Sequence, residues 1–417
     1  MLFHFRNIIF ATLAVQFTSA DSNNVCPTFD DYETIEINPK CSYNPDVSGN
    51  ITEMVTHHGF NIESHTVTTW DGYILEIVRI PSSTNGTCDN SVPKQPMLFV
   101  NGIGRDARCW LLMGTRSPAL YYASKCYDVW LANIRGSAYS KHQTYNPYSK
   151  EFWDFSFHEQ ATIDIPAIID TIANVSGQPG KLIYVGHSMG TTISYIYASV
   201  NRTHCKNNVK AIISLAPIAN LNKFEVPFMH FLALNSQIIK DTLFLVKIYW
   251  CQLQPILSLC TGFPLIDACD YFLQFFAGNS DPNNYPEVLP VLTANGSSPM
   301  SIKSLMHYAQ ICNRQGIFAW YDYGITQNLA RYNSILPPLY EVGKIPVNVD
   351  LIWANDDKFS VKDDVAVLYN NLPNGLKSIA EVPANSSQSM NHVDFITNPN
   401  IEEIYNNMNT KLEKYKN

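Results

Sequence analysis

One pentapeptide of this sequence combines residue types and spacing that could support nucleophilic chemistry. The Gly-x-Ser-x-Gly pattern consists of Gly186, His187, Ser188, Met189 and Gly190. The apolar run at 181–185 predicts a buried strand before it, and segment 191–200 predicts a helix after it. A serine at such a turn occupies a nucleophile elbow, and Cβ atoms at 186 and 190 would collide with neighbouring elements. We therefore predict that Ser188 is a catalytic nucleophile; a structural tight turn is the alternative.

The partners that a serine nucleophile needs are present later in the chain. A serine hydroxyl requires a general base, and the base requires an orienting carboxylate. His392 is the last histidine and follows the last predicted strand, as the base does in a Ser–acid–His order. The acid should end the preceding strand, where Asp356 and Asp357 are adjacent. Spacing alone leaves both aspartates open.

Two backbone N–H groups must stabilise the oxyanion of a tetrahedral intermediate. We expect one from Met189, the residue after the nucleophile. The other is expected from Ile103, in the loop after the third predicted strand, where Gly102 lets the backbone turn inwards. A simple tight turn is the alternative for 102–104, and the segment lacks the third glycine of a dinucleotide-binding fingerprint.

Short apolar runs alternate with helical patterns along most of the chain, which predicts a βα architecture. Asp71-Gly72 is a hairpin turn signal between the first two runs. We expect an α/β fold of the α/β-hydrolase type, with a central, mostly parallel eight-stranded sheet. The candidate strands are 65–70, 73–80, 97–101, 127–133, 182–186, 209–216, 349–354 and 377–382, and the candidate helices are 156–176, 191–201, 363–371 and 401–415.

The alternation stops between 219 and 343, where the chain is rich in Leu, Ile, Phe and Tyr but carries scattered polar residues and prolines. This composition predicts an inserted, mostly helical cap or lid over the carboxyl end of the sheet; a helical subdomain without a role in access is the alternative. The predicted organisation is a signal peptide at 1–20, a first core part at 21–218, the cap at 219–343 and a second core part at 344–417.

Several features predict the secretory pathway, with an extracellular or lysosomal destination. The apolar stretch at 8–17 is too short for a membrane span and is followed by small residues at 18–20. No later stretch has the pattern of a transmembrane segment. The ten cysteines suit an oxidising compartment. Six glycosylation sequons are present, at Asn50, Asn85, Asn174, Asn201, Asn295 and Asn385.

Composition also excludes some function classes. The net charge of −8 and the lack of a basic cluster argue against nucleic acid as a partner. No C-x-x-C pair occurs, so we expect neither a metal nor a redox cofactor. Cys251, Cys260 and Cys269 lie close together in one segment, and spacing leaves open whether Cys260 pairs with Cys251 or with Cys269.

The order of these motifs resembles the gastric and lysosomal acid lipases. The similarity extends from about residue 50 to residue 405, nearly the whole mature chain. The segments that carry it include DGYIL at 71–75, YDVWLAN at 127–133, FWDFSF at 152–157, PPLY at 337–340 and NHVDF at 391–395.

The resemblance implies what the residues leave open. It favours Asp357 over Asp356 as the acid, identifies the cap as a lipase lid, and implies a disulfide between Cys251 and Cys260. It also implies a lipid ester substrate, triacylglycerol or cholesteryl ester, hydrolysed through an acyl-enzyme at a lipid–water interface.

Three residues depart from the family pattern. Met189 and Asn101 stand where the family usually has Gln and His, and His158 replaces an acidic residue. The residues at 101 and 189 motivate one alternative, a catalytically weak, lipid-binding pseudoenzyme. Within the enzymes, a soluble carboxylesterase or a phospholipase is the other alternative.

Overall fold

The computed structural model describes residues 22–81, 88–89, 91–281, 285–385, 387–398 and 400–416. The predicted signal peptide and Asn85 lie outside these residues. Within them, no helix has the length and apolar character needed to cross a membrane.

The central sheet runs in the order β1-β2-β4-β3-β6-β7-β10-β11, with the short β5 paired to β2. The pairs of β2 with β1, β4 and β5 are antiparallel, and the other pairs in this sheet are parallel. The predicted α/β-hydrolase fold is confirmed; β5, three residues long, is too short to give a periodic signal. The strands are β1 (Glu63–Thr68), β2 (Tyr73–Ile80), β3 (Pro96–Val100), β4 (Asp128–Ala132), β5 (Ser140–His142), β6 (Leu182–His187), β7 (Val209–Leu215), β8 (Trp250–Cys251), β9 (Met300–Ser301), β10 (Asn348–Ala354) and β11 (Lys377–Val382).

Helices flank this sheet and fill the chain between β7 and β10. The helix α3 continues through a π-helical turn, Gln160–Asp164, into α4. The α-helices are α1 (Ile51–Thr56), α2 (Pro118–Ser124), α3 (Phe157–Glu159), α4 (Ile165–Ser176), α5 (Met189–Val200), α6 (Arg202–Asn208), α7 (Pro227–Leu234), α8 (Ser236–Leu245), α9 (Gln254–Leu257), α10 (Leu265–Ala277), α11 (Leu289–Asn295), α12 (Ile302–Asn313), α13 (Ile325–Tyr332), α14 (Lys362–Asn371), α15 (Asp394–Thr397) and α16 (Glu402–Leu412).

The interior strands β3, β4 and β6 are buried along their whole length, as parallel strands covered on both faces must be. In the register of the sheet, Gly186 pairs with Val100 on one side and with Ser214 on the other. The carboxyl ends of β3, β6 and β7 therefore meet at the elbow. The sheet thus brings the loop after β3 and Ser188 together.

The structure corrects the disulfide that the resemblance implied. Cys260 is bonded to Cys269, with 5.8 Å between their Cα atoms, and Cys251 is a free cysteine. Cys251 is held in β8, where it pairs with Met300 of β9, whereas Cys269 lies on α10 beside the turn that carries Cys260. Two further disulfides join Cys26 to Cys41 and Cys88 to Cys126.

One predicted glycosylation site is also wrong. Asn295 is buried, and its amide nitrogen donates to the carbonyl oxygens of Asp46 at 2.7 Å and Val47 at 3.0 Å. The nitrogen that a glycan would join is therefore used inside the fold. The asparagines at 50, 174 and 385 are exposed and that at 201 is partly exposed, so glycosylation at these four stays a prediction.

Candidate active site

Ser188 lies in a strained turn between β6 and α5. Its φ of +53° and ψ of −119° are an unusual backbone conformation for a residue other than glycine. A Cβ at Gly190 would lie 2.1 Å from the carbonyl oxygen of Val100, and one at Gly186 would lie 2.7 Å from the backbone of Gly190. Only glycine fits at either position. The two glycines thus allow β3 and α5 to approach the elbow closely.

A continuous hydrogen-bond chain joins the three side chains named from the sequence. Ser188 Oγ lies 2.8 Å from Nε2 of His392, and Nδ1 of His392 lies 2.8 Å from Oδ2 of Asp357. The second oxygen of Asp357 accepts the backbone N–H groups of Phe359 and Ser360, each at 2.8 Å. Since the carboxylate faces Nδ1, it favours the tautomer that leaves Nε2 free to accept the serine proton.

Asp356 contributes its backbone, not its carboxylate, to the surroundings of His392. Its backbone N–H donates to the carbonyl oxygen of Met390, which ties the end of β10 to the loop that carries His392. His392 is also held from the segment between β7 and β10, because its own N–H donates to the carbonyl oxygen of Ala277 at 3.1 Å. The histidine loop is therefore anchored by both the core and α10.

His187 supports the histidine loop from below. Its Nε2–H donates to the carbonyl oxygen of His392 at 2.8 Å. Burial, assisted by the neighbouring His392, lowers the pKa of His187 to about 3. His187 is thus neutral over the pH range in which a catalytic histidine titrates. The sequence placed this residue in the elbow without indicating its contact with His392, which is 205 positions away.

Asp394 is a second supporting residue that sequence reasoning did not assign. One carboxylate oxygen accepts from the backbone N–H of Asn391 at 2.6 Å. The other accepts from the hydroxyls of Ser280 at 3.0 Å and Tyr285 at 2.8 Å. Burial raises the pKa of Asp394 to about 6. This carboxyl group therefore shapes the loop without contacting the imidazole; its position two residues after His392 was the available signal.

The loop after β3 lies against the nucleophile. A Cβ at Gly102 would be 3.1 Å from the Cβ of Ser188, so glycine lets the backbone approach. Asn101 holds the loop in shape by donating from Nδ2 to the carbonyl oxygens of Gly102 at 3.1 Å and Arg105 at 2.6 Å. Met189 is the first residue of α5, where backbone N–H groups lack intrahelical acceptors. The two segments that carry the predicted oxyanion donors, Met189 and Ile103, therefore lie beside Ser188.

A large apolar cavity opens at these residues. Its volume is about 440 Å³, and Ser188 and His392 both line it. Met229, Leu243 and Leu305, on helices α7, α8 and α12 of the segment between β7 and β10, also line it. A cavity with this lining can hold hydrocarbon chains next to an activated hydroxyl.

Known proteins share this architecture and much of the sequence. Residues 95–392 match a family model described as alpha/beta hydrolase fold, and residues 51–114 match a partial alpha/beta-hydrolase lipase region. The chain is 33% identical over 378 residues to gastric triacylglycerol lipase of Mus musculus, covering 88% of this chain and 93% of that relative. It is 31% identical over 380 residues to Lipase member K of Homo sapiens, covering 89% and 92%. The chain belongs to the acid lipase family.

This membership confirms the resemblance found in the sequence and makes the protein an ester hydrolase of the lipase type. A solved structure of a soluble variant of monoglyceride lipase from Saccharomyces cerevisiae aligns with a TM-score of 0.53. The identity is 16%, and the alignment covers 86% of this chain and 96% of that one, so it supports the fold alone. In the described part of the chain, no cluster of three or more His, Cys, Asp or Glu side chains is arranged to hold a metal ion.

The departure from the acid lipases at Met189 coincides with a small cavity behind the oxyanion loop. The cavity measures about 20 Å³, which is enough for one water molecule. Four buried polar atoms that lack partners within the described residues belong to side chains that line it. They are Asn101 Oδ1, Ser137 Oγ, Gln160 Oε1 and Ser304 Oγ.

The departure at His158 takes part in packing between α3 and the segment that precedes β10. Its Nδ1 lies 2.8 Å from the hydroxyl of Tyr340, and its ring lies against Trp320. Burial lowers the pKa of His158. The His158 side chain therefore joins α3 to Tyr340 and Trp320, which precede β10.

Proposed function

We propose that this protein hydrolyses carboxylic ester bonds of lipids, triacylglycerol or cholesteryl ester, through a Ser–His–Asp acyl-enzyme mechanism. The observation that carries the proposal is the hydrogen-bond chain from Asp357 through His392 to Ser188, which ends at a 440 Å³ apolar cavity. A fatty acyl chain fits such a cavity, and its ester carbonyl would lie at the cavity's polar end.

The geometry supports a defined proton route. Ser188 attacks the acyl carbonyl while Nε2 of His392 takes the hydroxyl proton, and Asp357 stabilises the imidazolium that forms. His392 then gives the proton to the leaving alkoxide, so the alcohol departs and an acyl-serine remains. Water, deprotonated by the same nitrogen, releases the fatty acid. The N–H groups of Met189 and Ile103 would stabilise the oxyanion in both steps.

The segment 219–343 is proposed to act as a lid at a lipid–water interface. Helix α8 directs Ile239 and Leu243 into the cavity, while Ile238 and Leu245 are 70% and 84% exposed. Large apolar side chains exposed on this scale favour contact with a lipid surface. The three disulfides suit a protein of the secretory pathway, which we propose as its route to an extracellular or lysosomal site.

The test is hydrolysis of emulsified triolein and cholesteryl oleate, with fluorophosphonate labelling as a second readout. Ser188→Ala should abolish both labelling and hydrolysis. Ser124→Ala is the matched control, because Ser124 is an exposed serine whose hydroxyl bonds only to a local carbonyl oxygen at 2.7 Å. Hydrolysis by Ser188→Ala at the wild-type rate would refute the mechanism.

The same assay separates the two alternatives. Folded wild-type protein that binds lipid but resists labelling would be a lipid carrier. Hydrolysis of soluble short-chain esters without hydrolysis of emulsions would identify a carboxylesterase, and the lid proposal would then fail.

A further inference from the structure

Among the described residues that line the cavity, Arg105 is the single Asp, Glu, Lys or Arg side chain. It lies four residues after Asn101 on the oxyanion loop, is partly buried, and lines the same cavity as Ser188. Its guanidinium donates from Nη1 to the carbonyl oxygen of Gly296. Among the residues that the structure describes, no carboxylate oxygen lies within 4.0 Å of an Arg105 nitrogen. Arg105 therefore lines the cavity without a direct carboxylate partner in this part of the chain.

Two other arginines, one partly buried and one buried, follow the opposite pattern. Arg79 pairs with Asp128 at 2.7 Å, and Arg135 pairs with Asp71 and Asp164, each at 2.7 Å. A desolvated cation is unfavourable unless an anion compensates it, and these two arginines obey that rule.

The acidic neighbour of Arg105 is already engaged. Asp106 lies 2.8 Å from Nη2 of Arg108, and its Oδ1 also accepts the backbone N–H of Arg108 at 3.0 Å. Burial lowers the pKa of Arg105, and the neighbouring Cys109 and Asp106 oppose that shift. A guanidinium has five N–H donors, and Gly296 accepts one of them. The remaining donors suit a planar or tetrahedral oxyanion.

We propose that Arg105 forms an anion-binding subsite in the cavity, which takes the anionic oxygens of a lipid. Two sources share this chemistry: the headgroup phosphate of a phospholipid substrate and the carboxylate of a fatty-acid product. The proposal rests on the proposed function, because it assumes that lipid enters the cavity beside Ser188. It adds a charged recognition element to a cavity whose lining is otherwise mainly apolar.

The first experiment measures binding rather than turnover. Octyl phosphate, octanoate and uncharged octanol are titrated calorimetrically into Ser188→Ala protein. Charge-assisted hydrogen bonds to Arg105 should make the two anions bind roughly tenfold to a hundredfold more tightly than octanol. Equal affinity for all three ligands would overturn the proposal. Because this protein lacks the nucleophile, the result does not depend on the proposed catalytic mechanism.

Variants then locate the preference. Arg105→Gln in the same background should reduce anion affinity to within about twofold of octanol, whereas Arg105→Lys should keep part of the preference. Arg331→Gln is the control, since Arg331 is exposed on α13 and lies over the ring of Tyr323. An anion preference that survives in folded Arg105→Gln would overturn the proposal. If that variant does not fold, phenylglyoxal modification of Arg105, mapped by mass spectrometry, decides: octyl phosphate must protect it, and no protection is a refutation.

Wild-type enzyme and Arg105→Gln separate the two sources. If the subsite binds a headgroup, the variant loses hydrolysis of phosphatidic acid more than hydrolysis of diacylglycerol. If it binds the product, wild type and variant hydrolyse each of the two substrates at the same rate, but octanoate inhibits the variant less. Either result supports the subsite. If the variant shows neither change, the subsite is refuted. If the wild-type protein hydrolyses none of these lipids, the proposed function is refuted, whereas the binding result still holds.

Discussion

Replacing Asp357 by Asn should inactivate the enzyme through the tautomer of His392. In the structure, Oδ1 of Asp357 accepts two backbone N–H groups, from Phe359 and Ser360, and Oδ2 faces Nδ1 of His392. Asparagine must keep its single carbonyl oxygen at the two N–H groups. Its NH₂ group then faces Nδ1, which must become an acceptor, so the ring proton moves to Nε2. The imidazole can then no longer take the proton of Ser188.

The structure also indicates what fraction of the molecules would adopt the inactive tautomer of His392. A flipped amide would leave two backbone N–H groups without an acceptor, at about 1–3 kcal/mol each. At a total of about 2 kcal/mol or more, roughly one molecule in thirty or fewer would keep the active tautomer. We expect kcat to fall by about 10⁴, which corresponds to about 5.5 kcal/mol in activation free energy. The loss exceeds the effect on the tautomer because an amide in place of the carboxylate also removes stabilisation of the imidazolium.

The assay is hydrolysis of p-nitrophenyl butyrate together with the rate of fluorophosphonate labelling. Asp356→Asn is the matched control. Asp356 is partly exposed and uses its backbone N–H, which the substitution retains, so its kcat should stay within about twofold of wild type. Circular dichroism establishes that both variants are folded. The reasoning is refuted if folded Asp357→Asn keeps more than about a tenth of the activity, or if Asp356→Asn shows the large loss.

Three further perturbations address the support of the site. His187→Phe removes the donor to the His392 carbonyl oxygen and should lower kcat roughly tenfold to a hundredfold, measured on the same ester; an unchanged kcat would contradict a positioning role. Met189→Gln should bring an amide to the small cavity with unpartnered polar atoms and raise the free energy of unfolding by about 1 kcal/mol in urea titrations; a decrease would contradict this. Asp394 has a folded pKa of about 6 against 3.8 as its ordinary value, so folding binds its proton more tightly. Its contribution should therefore stabilise the protein by about 3 kcal/mol as the pH falls from 7 to below 4, and the pH dependence of urea unfolding should flatten in Asp394→Asn.

Local patterns determined much of the fold. The interior strands are continuous apolar runs, and β2 and β11 were predicted with the bounds that the structure has. The elbow at Ser188 could be located because the positions two residues before and after it must be glycine. That steric requirement is visible in a short stretch of the sequence. His392 could be predicted from the sequence because chain order places the base after the last strand. Its catalytic role, like that of Ser188, stays a prediction until the substitutions are made.

Tertiary structure decided what depends on contacts between distant residues. The choice between Asp356 and Asp357 follows from which carboxylate faces an imidazole 35 positions later in the chain. Cys260 pairs with Cys269 because β8 holds Cys251 elsewhere. Neither outcome has a periodic signal, because each is set by backbone geometry that brings separate segments together.

The same reason explains the features that sequence reasoning missed. The burial of Asn295, the support of His392 by His187, and the position of Arg105 beside the cavity all involve partners or surroundings far away in the chain. The sequence by itself determined that a serine hydrolase core with an apolar insertion could form. Only the packing of that insertion against the core decided the shape of the cavity, its charge, and the side chains that hold the catalytic histidine in place.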